Sequence, residues 1–298
     1  MKRKWISLLL ASVPICLLGQ TVQVTDHEIH FTVSDRNGQF VTNLNSNNFR
    51  LYDNDVRQNI LVFDKKLQSA VQLAVLIDRS KSVSERFAYM QEAAVAFVNS
   101  VIRESEDEGM VVAFDSRVYV LQDWTSSPAA MIHGIRKLSS AGGTSVFDAV
   151  YKTCRDKFVA TNNRQKVVVL ITDGEDTTSS ATFEQTLAMA KLSNVVVYVV
   201  GVRAESALNT RELQGRKVLT NLADLTGGRV FYPRDTREQL AGLFQTLQAE
   251  LRNEYSLVYD VAGQPDNTFH TVRIEAQDKA LRVHAPTGYY FRKALTLP

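Results

Sequence analysis

Residues 73–82 read LAVLIDRSKS, and this segment decides the fold class. Five apolar residues precede Asp78, and hydroxyl side chains follow at Ser80 and Ser82. A second apolar run, residues 167–172, leads into the sequence DGED at residues 173–176. Unbroken apolar strands of this kind are typical of a parallel sheet that is covered by helices on both faces.

Strand and helix patterns alternate outward from this segment, from about residue 73 to residue 252. Strands are predicted at residues 73–78, 110–114, 118–121, 167–172, 195–201 and 230–232. Amphipathic helices are predicted near residues 84–101, 128–138, 146–158, 183–192, 213–225 and 237–251. The alternation indicates an α/β fold with a doubly wound, mostly parallel sheet and helices on both faces. In such sheets, ligands bind at the carboxyl ends of the central strands.

The two flanks of this region show short alternating segments with turn signals, which are typical of β strands. Neither flank alone contains enough strands for a stable core. We therefore expect residues 20–66 and 254–298 to form one small antiparallel β domain, with the α/β domain of residues 67–253 inserted into it.

The amino terminus has the pattern of a secretory signal peptide, predicted at residues 1–19. Three basic residues precede an apolar run that ends at Leu18 and is too short to span a membrane. Cys16 is a second candidate feature, as a site of lipid attachment. However, Ile15 is not the small residue that normally precedes a lipidated cysteine. The sequence predicts an exported protein, periplasmic or secreted, with no stable membrane span after cleavage.

Charge and cysteine content narrow the function classes. Removal of the signal peptide takes away three basic residues and changes the formal net charge from +2 to −1. Basic residues are scattered, so neither a nucleic-acid partner nor an anionic membrane surface is indicated. Cys154 would remain as a single cysteine, which excludes an internal disulfide. Its place in a helical apolar stripe predicts a buried side chain.

Three loops at one edge of the predicted sheet carry oxygen ligands. The sequences are DRSKS at residues 78–82, GGTS at residues 142–145 and TDGED at residues 172–176, each at a strand–helix junction. They bring together two carboxylates and three hydroxyls. Oxygen ligands without His or Cys suit Mg²⁺ or a similar hard cation such as Mn²⁺ or Ca²⁺. The candidate ligands are Asp78, Ser80, Ser82, Thr144 and Asp173.

This combination resembles the metal-ion-dependent adhesion site (MIDAS) of von Willebrand factor A domains, over about residues 70–252. The resemblance implies that Ser80 and Ser82 bind the metal directly, and that Thr144 binds directly or through water. Asp78 and Asp173 would act mainly through waters and hydrogen bonds. The flanking sequences at residues 31–38, 48–53 and 287–290 are similar to those of a bacterial secreted group of A-domain proteins.

The resemblance implies a non-enzymatic binding module. Neutral hydroxyl ligands compensate the cation's charge poorly, so the open coordination position favours a Glu or Asp carboxylate of a protein partner. Two alternatives stay open: a metal-dependent hydrolase, and a structural envelope protein whose metal only rigidifies the loops. A third is that the hydroxyls only cap helices. A haloacid-dehalogenase-type phosphatase would need a second Asp where Ser80 stands.

Other charged residues near the three loops have simpler expected roles. Asp115 follows a predicted strand and is expected to stabilise a turn, the alternative being a role in supporting the metal ligands. Glu175 and Asp176 are expected to be solvated loop charges. Arg79 and Lys81 alternate with the ligand serines; we expect them to be solvated, although they also favour an acidic partner surface.

Overall fold

The computed structural model describes residues 26–67, 69–158, 164–172, 176–201, 210–233, 237–261 and 268–291. The predicted signal peptide, residues 1–19, lies outside these ranges. The strands are β1 (Asp26–Ser34), β2 (Phe49–Asp53), β3 (Val56–Gln58), β4 (Val62–Leu67), β5 (Val71–Asp78), β6 (Glu108–Phe114), β7 (Val118–Thr125), β8 (Gln165–Thr172), β9 (Val195–Gly201), β10 (Val230–Phe231), β11 (Asn253–Asp260), β12 (Thr268–Ala276), β13 (Arg282–His284) and β14 (Gly288–Phe291). The helices are α1 (Phe87–Val101), α2 (Pro128–Arg136), α3 (Val146–Lys157), α4 (Phe183–Leu192), α5 (Thr210–Thr226) and α6 (Arg237–Arg252), with 3-10 helices at Ser46–Asn48 and Lys81–Arg86.

Six strands form the central sheet in the order β10-β9-β8-β5-β6-β7. Only β7 runs antiparallel to its neighbour, and the other neighbouring pairs are parallel. The chain builds outward from β5 to β7 and then returns to β8 on the other side of β5. The strand order therefore reverses between β5 and β8, which is where ligands bind in this class of sheet. The predicted doubly wound, mostly parallel sheet is confirmed.

Helices cover both faces of this sheet because the buried strands are apolar on both sides. In β5, Val75 packs into a core with α1, α2 and α6, whereas Leu76 packs into a second core with α3, α4 and α5. Cys154 is fully buried in the second core, as predicted. None of the helices in the described ranges has the length and apolar character that a membrane crossing requires.

Strands from the two flanks pair with one another in two antiparallel sheets of order β13-β1-β11-β4 and β14-β12-β2-β3. The two sheets share one hydrophobic core, in which Phe31 of β1 contacts Phe49 of β2 at 5.1 Å between ring centroids. Tyr255 of β11 packs against both rings. The domain boundaries at residues 66/67 and 253/254 stay a prediction.

One buried ion-pair cluster ties together the two places where the chain passes between the flanking sheets and the α/β unit. Leu67 of β4 pairs in register with Asn253 of β11. Arg252, the last residue of α6 and the one before β11, pairs with the buried Asp107 and donates to the Ser69 carbonyl at 2.7 Å. Asp107 also accepts a hydrogen bond of 2.9 Å from the first backbone N–H of β5. Both passages are therefore fixed by the same side chains.

Candidate metal site

The carboxylate of Asp78 joins the ends of the two central strands. Asp78 is the last residue of β5 and is fully buried. Its Oδ1 accepts a hydrogen bond from the Ser80 backbone N–H at 2.9 Å, and its Oδ2 accepts one from the Thr172 hydroxyl at 2.6 Å. Thr172 ends β8, the neighbour of β5. Asp78 therefore shapes the loop that follows it and fixes that loop to β8.

Two backbone hydrogen bonds hold the loop after β5 against the loop before α3. The Arg79 carbonyl accepts from the Ala141 N–H at 2.7 Å, and the Lys81 N–H donates to the Gly142 carbonyl at 3.2 Å. Gly142 has a φ of +76°, and a Cβ there would lie 2.9 Å from the Cβ of Asp115. Both the backbone angle and the close approach require glycine at this position.

Thr144 connects the second loop to the third. Its backbone N–H donates to the Thr177 hydroxyl at 3.0 Å, and its carbonyl accepts from the backbone N–H groups of Thr177 and Thr178 at 2.8 and 3.0 Å. These bonds use the backbone groups of Thr144 and do not involve its side-chain hydroxyl. Thr144 is buried, with an exposed fraction of 3%. The loop after β5, the loop before α3 and the described residues that follow β8 thus meet at this edge of the sheet.

The two serines at the helix starts nearest the candidate site, Ser80 and Ser145, do not serve as helix caps. Ser80 is at the N-cap position of the 3-10 helix Lys81–Arg86, but its side chain makes no capping hydrogen bond. Ser145 is at the N-cap position of α3, where its side chain again makes none. Its hydroxyl instead lies 2.7 Å from the Thr178 hydroxyl. The alternative in which hydroxyls only cap helices therefore fails for Ser80.

Asp176 is not the solvated loop charge that the sequence predicted. This side chain is half-buried and accepts hydrogen bonds from the Ser179 hydroxyl at 2.6 Å and from the Phe147 backbone N–H at 3.3 Å. It satisfies an N–H in the first turn of α3, where an anionic group is favoured. The local sequence did not reveal this role because the helix lies about 30 residues earlier in the chain. Glu175 lies outside the described residues.

Asp115 stabilises the loops around the site, in addition to the turn that was predicted for it. Its Oδ1 accepts from the Arg117 backbone N–H at 2.9 Å, which confirms the turn. Its Oδ2 lies 3.4 Å from Nε of Arg79, and its carbonyl accepts from the Ser145 N–H at 2.8 Å. Arg79 also lies over the Tyr119 ring, 5.5 Å from its centroid, so it is held in place rather than solvated. Lys81 is exposed, as expected.

Comparison with known families decides the assignment. The model of the von Willebrand factor type A domain family matches residues 72–246, more than half of the chain. The chain belongs to the von Willebrand factor type A (VWA) domain family. The match runs from β5 into α6 and includes all five candidate ligands.

Two relatives are similar to this chain over the VWA region. The VWA region is 28% identical over 175 residues to the calcium-activated chloride channel regulator 1 of Sus scrofa, and 28% identical over 172 residues to that of Mus musculus. These matches cover 56% and 55% of this chain, but the chain spans only 17% of the length of either relative.

Two solved structures are similar in fold. A von Willebrand factor type A protein from Catenulispora acidiphila has a TM-score of 0.54 at 15% identity, and the match covers 90% of this chain and 74% of that one. Proximal thread matrix protein 1 from the mussel byssus, with a zinc-occupied MIDAS motif, has a TM-score of 0.51 at 18% identity, with coverages of 68% and 50%. The first likeness extends beyond residues 72–246 and therefore includes flanking strands.

The structure describes three of the five candidate ligands of this VWA domain in full. Asp78, Ser80 and Thr144 are buried at the point where the loops meet. Ser82 lies in the 3-10 helix Lys81–Arg86, and its side chain is outside the described part of the chain. Asp173 is also outside it. Buried carboxylate and hydroxyl oxygens fit the ligand chemistry of a hard divalent cation, and the complete ligand set stays a prediction.

Proposed function

We propose that this VWA domain binds a protein partner through a divalent cation. The cation would be Mg²⁺, or alternatively Mn²⁺ or Ca²⁺. The observation that carries the proposal is the burial of Asp78, Ser80 and Thr144 where the loop after β5 meets the loop before α3. The proposed ligand set is Asp78, Ser80, Ser82, Thr144 and Asp173.

The ligand chemistry supports docking of an acidic side chain. Ser80 and Ser82 would contribute neutral hydroxyls to the inner shell, and Thr144 would contribute a third directly or through water. Asp78 is engaged with the Ser80 N–H and the Thr172 hydroxyl, in keeping with an indirect role. With few anionic ligands, a bound cation would offer a Lewis-acidic position to a partner's Glu or Asp carboxylate.

The carboxylates at this edge of the sheet favour binding over catalysis. Hydrolysis needs a positioned general base that is available to take a proton. Asp115 is paired with Arg79 and bonded to the Arg117 N–H. Burial tends to raise the pKa of Asp148, but Lys152 and backbone N–H groups outweigh it, so that this pKa is lowered. Both carboxylates are engaged by neighbouring donors, which supports a non-enzymatic module.

The cellular setting follows from the predicted signal peptide. Export would place the VWA domain in the periplasm or outside the cell, where free Mg²⁺ or Ca²⁺ is available to a site built from oxygen ligands. We propose adhesion-type docking of an envelope or extracellular protein in one of these compartments.

Metal titration tests the ligand assignment. Isothermal titration of the EDTA-stripped full chain with Mg²⁺ or Mn²⁺ should reveal one main site. The Ser80→Ala, Ser82→Ala double variant should lose it. A matched control, Ser100→Ala with Ser193→Ala, removes two hydroxyls that bond carbonyls elsewhere in the VWA domain. Unchanged metal binding in the first double variant would refute the assignment.

Partner capture tests the mode of binding. Affinity capture from an envelope extract with Mg²⁺ or with EDTA would identify metal-dependent partners, whose affinity is then measured for Thr144→Ala. Linkage requires metal and partner to strengthen each other equally, typically by roughly 5–150-fold. Equal affinity under all conditions, with lower thermal stability in EDTA, would support the structural alternative. Turnover that is lost in Asp78→Ala would support the hydrolase instead.

A further inference from the structure

A cavity lies at the end of the central sheet opposite the metal loops. It has a volume of about 450 Å³ and lies between the flanking sheets and the VWA domain. Its VWA wall includes Gln165 and Val195, the first residues of β8 and β9. At about 3.3 Å per residue, the seven steps from Gln165 to Thr172 separate the two ends by roughly 23 Å. The cavity is therefore distinct from the metal site, and its volume is within the usual range for small-molecule sites.

Lys191 brings a buried, uncompensated charge to this cavity. Its exposed fraction is 8%, and its Nζ donates to the Thr287 hydroxyl at 3.1 Å and lies 4.8 Å from the centre of the Phe269 ring. Within the described ranges, no carboxylate oxygen lies within 4 Å of that Nζ, whereas the buried Arg252 is paired with Asp107. Buried ammonium groups are normally paired. Burial lowers the pKa of Lys191, which is the direction that an entering anion would reverse.

The remaining charges on the cavity wall leave a positive excess. Four basic residues, Lys66, Arg164, Lys166 and Lys191, line it together with two acidic ones. Both acidic residues already have partners: Glu28 lies 3.3 Å from Lys66, and Glu254 lies 3.3 Å from His30.

Two further polar atoms on the cavity wall have unused bonding capacity. Nη1 of Arg164 and Oε1 of Gln165 are buried and have no hydrogen-bond partner among the described residues. The same Nη1 atom lies 3.6 Å from Oε2 of Glu108, a separation at which the carboxylate compensates the charge of Arg164 only partly. The wall thus offers a donor for an anionic oxygen and an acceptor for an N–H or O–H group.

The other part of the wall is apolar and includes an aromatic ring. Ile29, Val195 and Tyr289 are each at least nine-tenths buried. The Tyr289 ring stacks on His27 with 3.4 Å between ring centroids. Burial lowers the pKa of His27 to about 3, so this imidazole is neutral at physiological pH and adds no charge to the wall. A ligand with an apolar or aromatic body would contact this side.

We propose that the cavity is a second binding site, which takes a small organic anion independently of the metal. Its carboxylate or phosphate group would pair with Lys191, and its apolar body would contact Tyr289 and Val195. Such a ligand would bridge the flanking sheets and the VWA domain, since residues of both line the cavity.

Isothermal titration of the full chain in EDTA tests this proposal, because EDTA removes any metal that would itself bind an anion. The probes are benzoate, phenyl phosphate, inorganic phosphate and the neutral benzyl alcohol. At least one of the two aromatic anions should bind, and the preferred one identifies the anionic group. Lys191→Met should weaken that binding roughly tenfold or more, as expected for the loss of a charge-assisted contact. The matched control Lys157→Met, which alters a half-buried lysine outside the cavity, should leave it unchanged.

Two checks separate loss of the site from loss of the fold. Lys191→Met should not lower the thermal midpoint in the absence of anion, because it removes a buried charge that no carboxylate of the described residues compensates. In the wild-type chain, anion-induced NMR shift changes should include Val195 and Tyr289, a measurement that needs no variant. The proposal is overturned if neither aromatic anion binds at millimolar concentration, if benzyl alcohol binds equally well, or if the shift changes lie elsewhere. Failure of the metal proposal would leave these results unaffected.

Discussion

Replacement of Asp107 by Asn should cost more stability than any exposed ion pair in the molecule. Asp107 accepts hydrogen bonds from Arg103, from Arg252 and from the first backbone N–H of β5, and it has no exposed surface. The Asp107→Asn substitution preserves the shape of the side chain. It removes the negative charge and directs an amide N–H₂ group toward guanidinium donors.

The size of the expected loss in the free energy of unfolding follows from the burial of Arg252, the partner of Asp107. The Arg252 side chain is only 5% exposed, so without Asp107 its charge would be buried with no counter-ion. Breaking a buried pair in this way costs about 3–5 kcal/mol of the free energy of unfolding. At roughly 2–4 °C per kcal/mol for a domain of this size, the thermal midpoint should fall by about 6–20 °C.

Differential scanning calorimetry and urea unfolding of the full chain measure this effect. The matched control is Asp123→Asn, which breaks the exposed pair of Asp123 with Lys157 and should cost at most about 1 kcal/mol. A second substitution, Arg252→Met, should recover part of the loss in the Asp107→Asn background, because it removes the unpaired charge. A fall of less than about 3 °C in the single variant would refute the reasoning.

The pH dependence gives an independent check on the same cluster. Burial tends to raise the pKa of Asp107, but hydrogen bonds from Arg103, Val71 and Arg252 outweigh it, so that the pKa is lowered. A group of this kind stabilises the fold above its unfolded pKa of about 3.9, and the contribution is lost as the pH falls through the lower folded value. The stability difference between the wild type and Asp107→Asn should therefore narrow in acid below about pH 4.

Three further outcomes are expected. Gly142→Ala should destabilise the chain by about 1–3 kcal/mol in urea unfolding and weaken Mg²⁺ binding, because it forces a side chain into a positive φ and against Asp115; unchanged metal affinity would contradict the loop geometry. Burial raises the pKa of Glu250 to about 7, so that the folded chain keeps this carboxyl protonated at a pH where the unfolded chain has released the proton. The free energy of unfolding should therefore fall by roughly 3 kcal/mol as the pH rises from about 4.5 to above 7. Glu250→Gln should remove this pH dependence of stability, and an equal dependence in the variant would refute the assignment. A fragment of residues 67–253 should fold alone, whereas residues 20–66 should be unstructured by circular dichroism, since their strands pair with the carboxyl-terminal flank; a well-folded amino-terminal fragment would contradict the insertion.

Sequence patterns predict the α/β fold closely where burial controls residue type. The apolar run at residues 195–201 predicts β9 with the bounds that are observed, Val195–Gly201. The pattern starts β8 at residue 167, two residues late, because Gln165 and Lys166 are polar. The first helix was expected near residue 84, but Lys81–Arg86 forms a 3-10 helix before α1. Element ends therefore depend on polar contacts that a hydrophobic pattern does not record.

The candidate site shows the same limit more strongly. The motif around Asp78 marks the loops because its residues are close in sequence. The roles of Asp115 and Asp176 depend on hydrogen bonds to Ser145 and Phe147, about 30 residues away in the chain. The pairing of Asp107 with Arg252 spans 145 residues. Sequence spacing indicates which loops converge, whereas contacts between loops become visible only in three dimensions.

The register of β4 with β11 has a consequence for the order of folding. Leu67 and Asn253 are partners in this antiparallel pair, so the VWA domain occupies the place of a hairpin turn. If the roughly 185 residues between them were unfolded, closing that loop would cost about 3 kcal/mol more than closing a turn of about four residues. Folding of the VWA domain brings Ser69 and Arg252 within hydrogen-bonding distance and removes this polymer entropy. We therefore expect the VWA domain to act as a template for the pairing of β4 with β11, so that the flanking sheets assemble last.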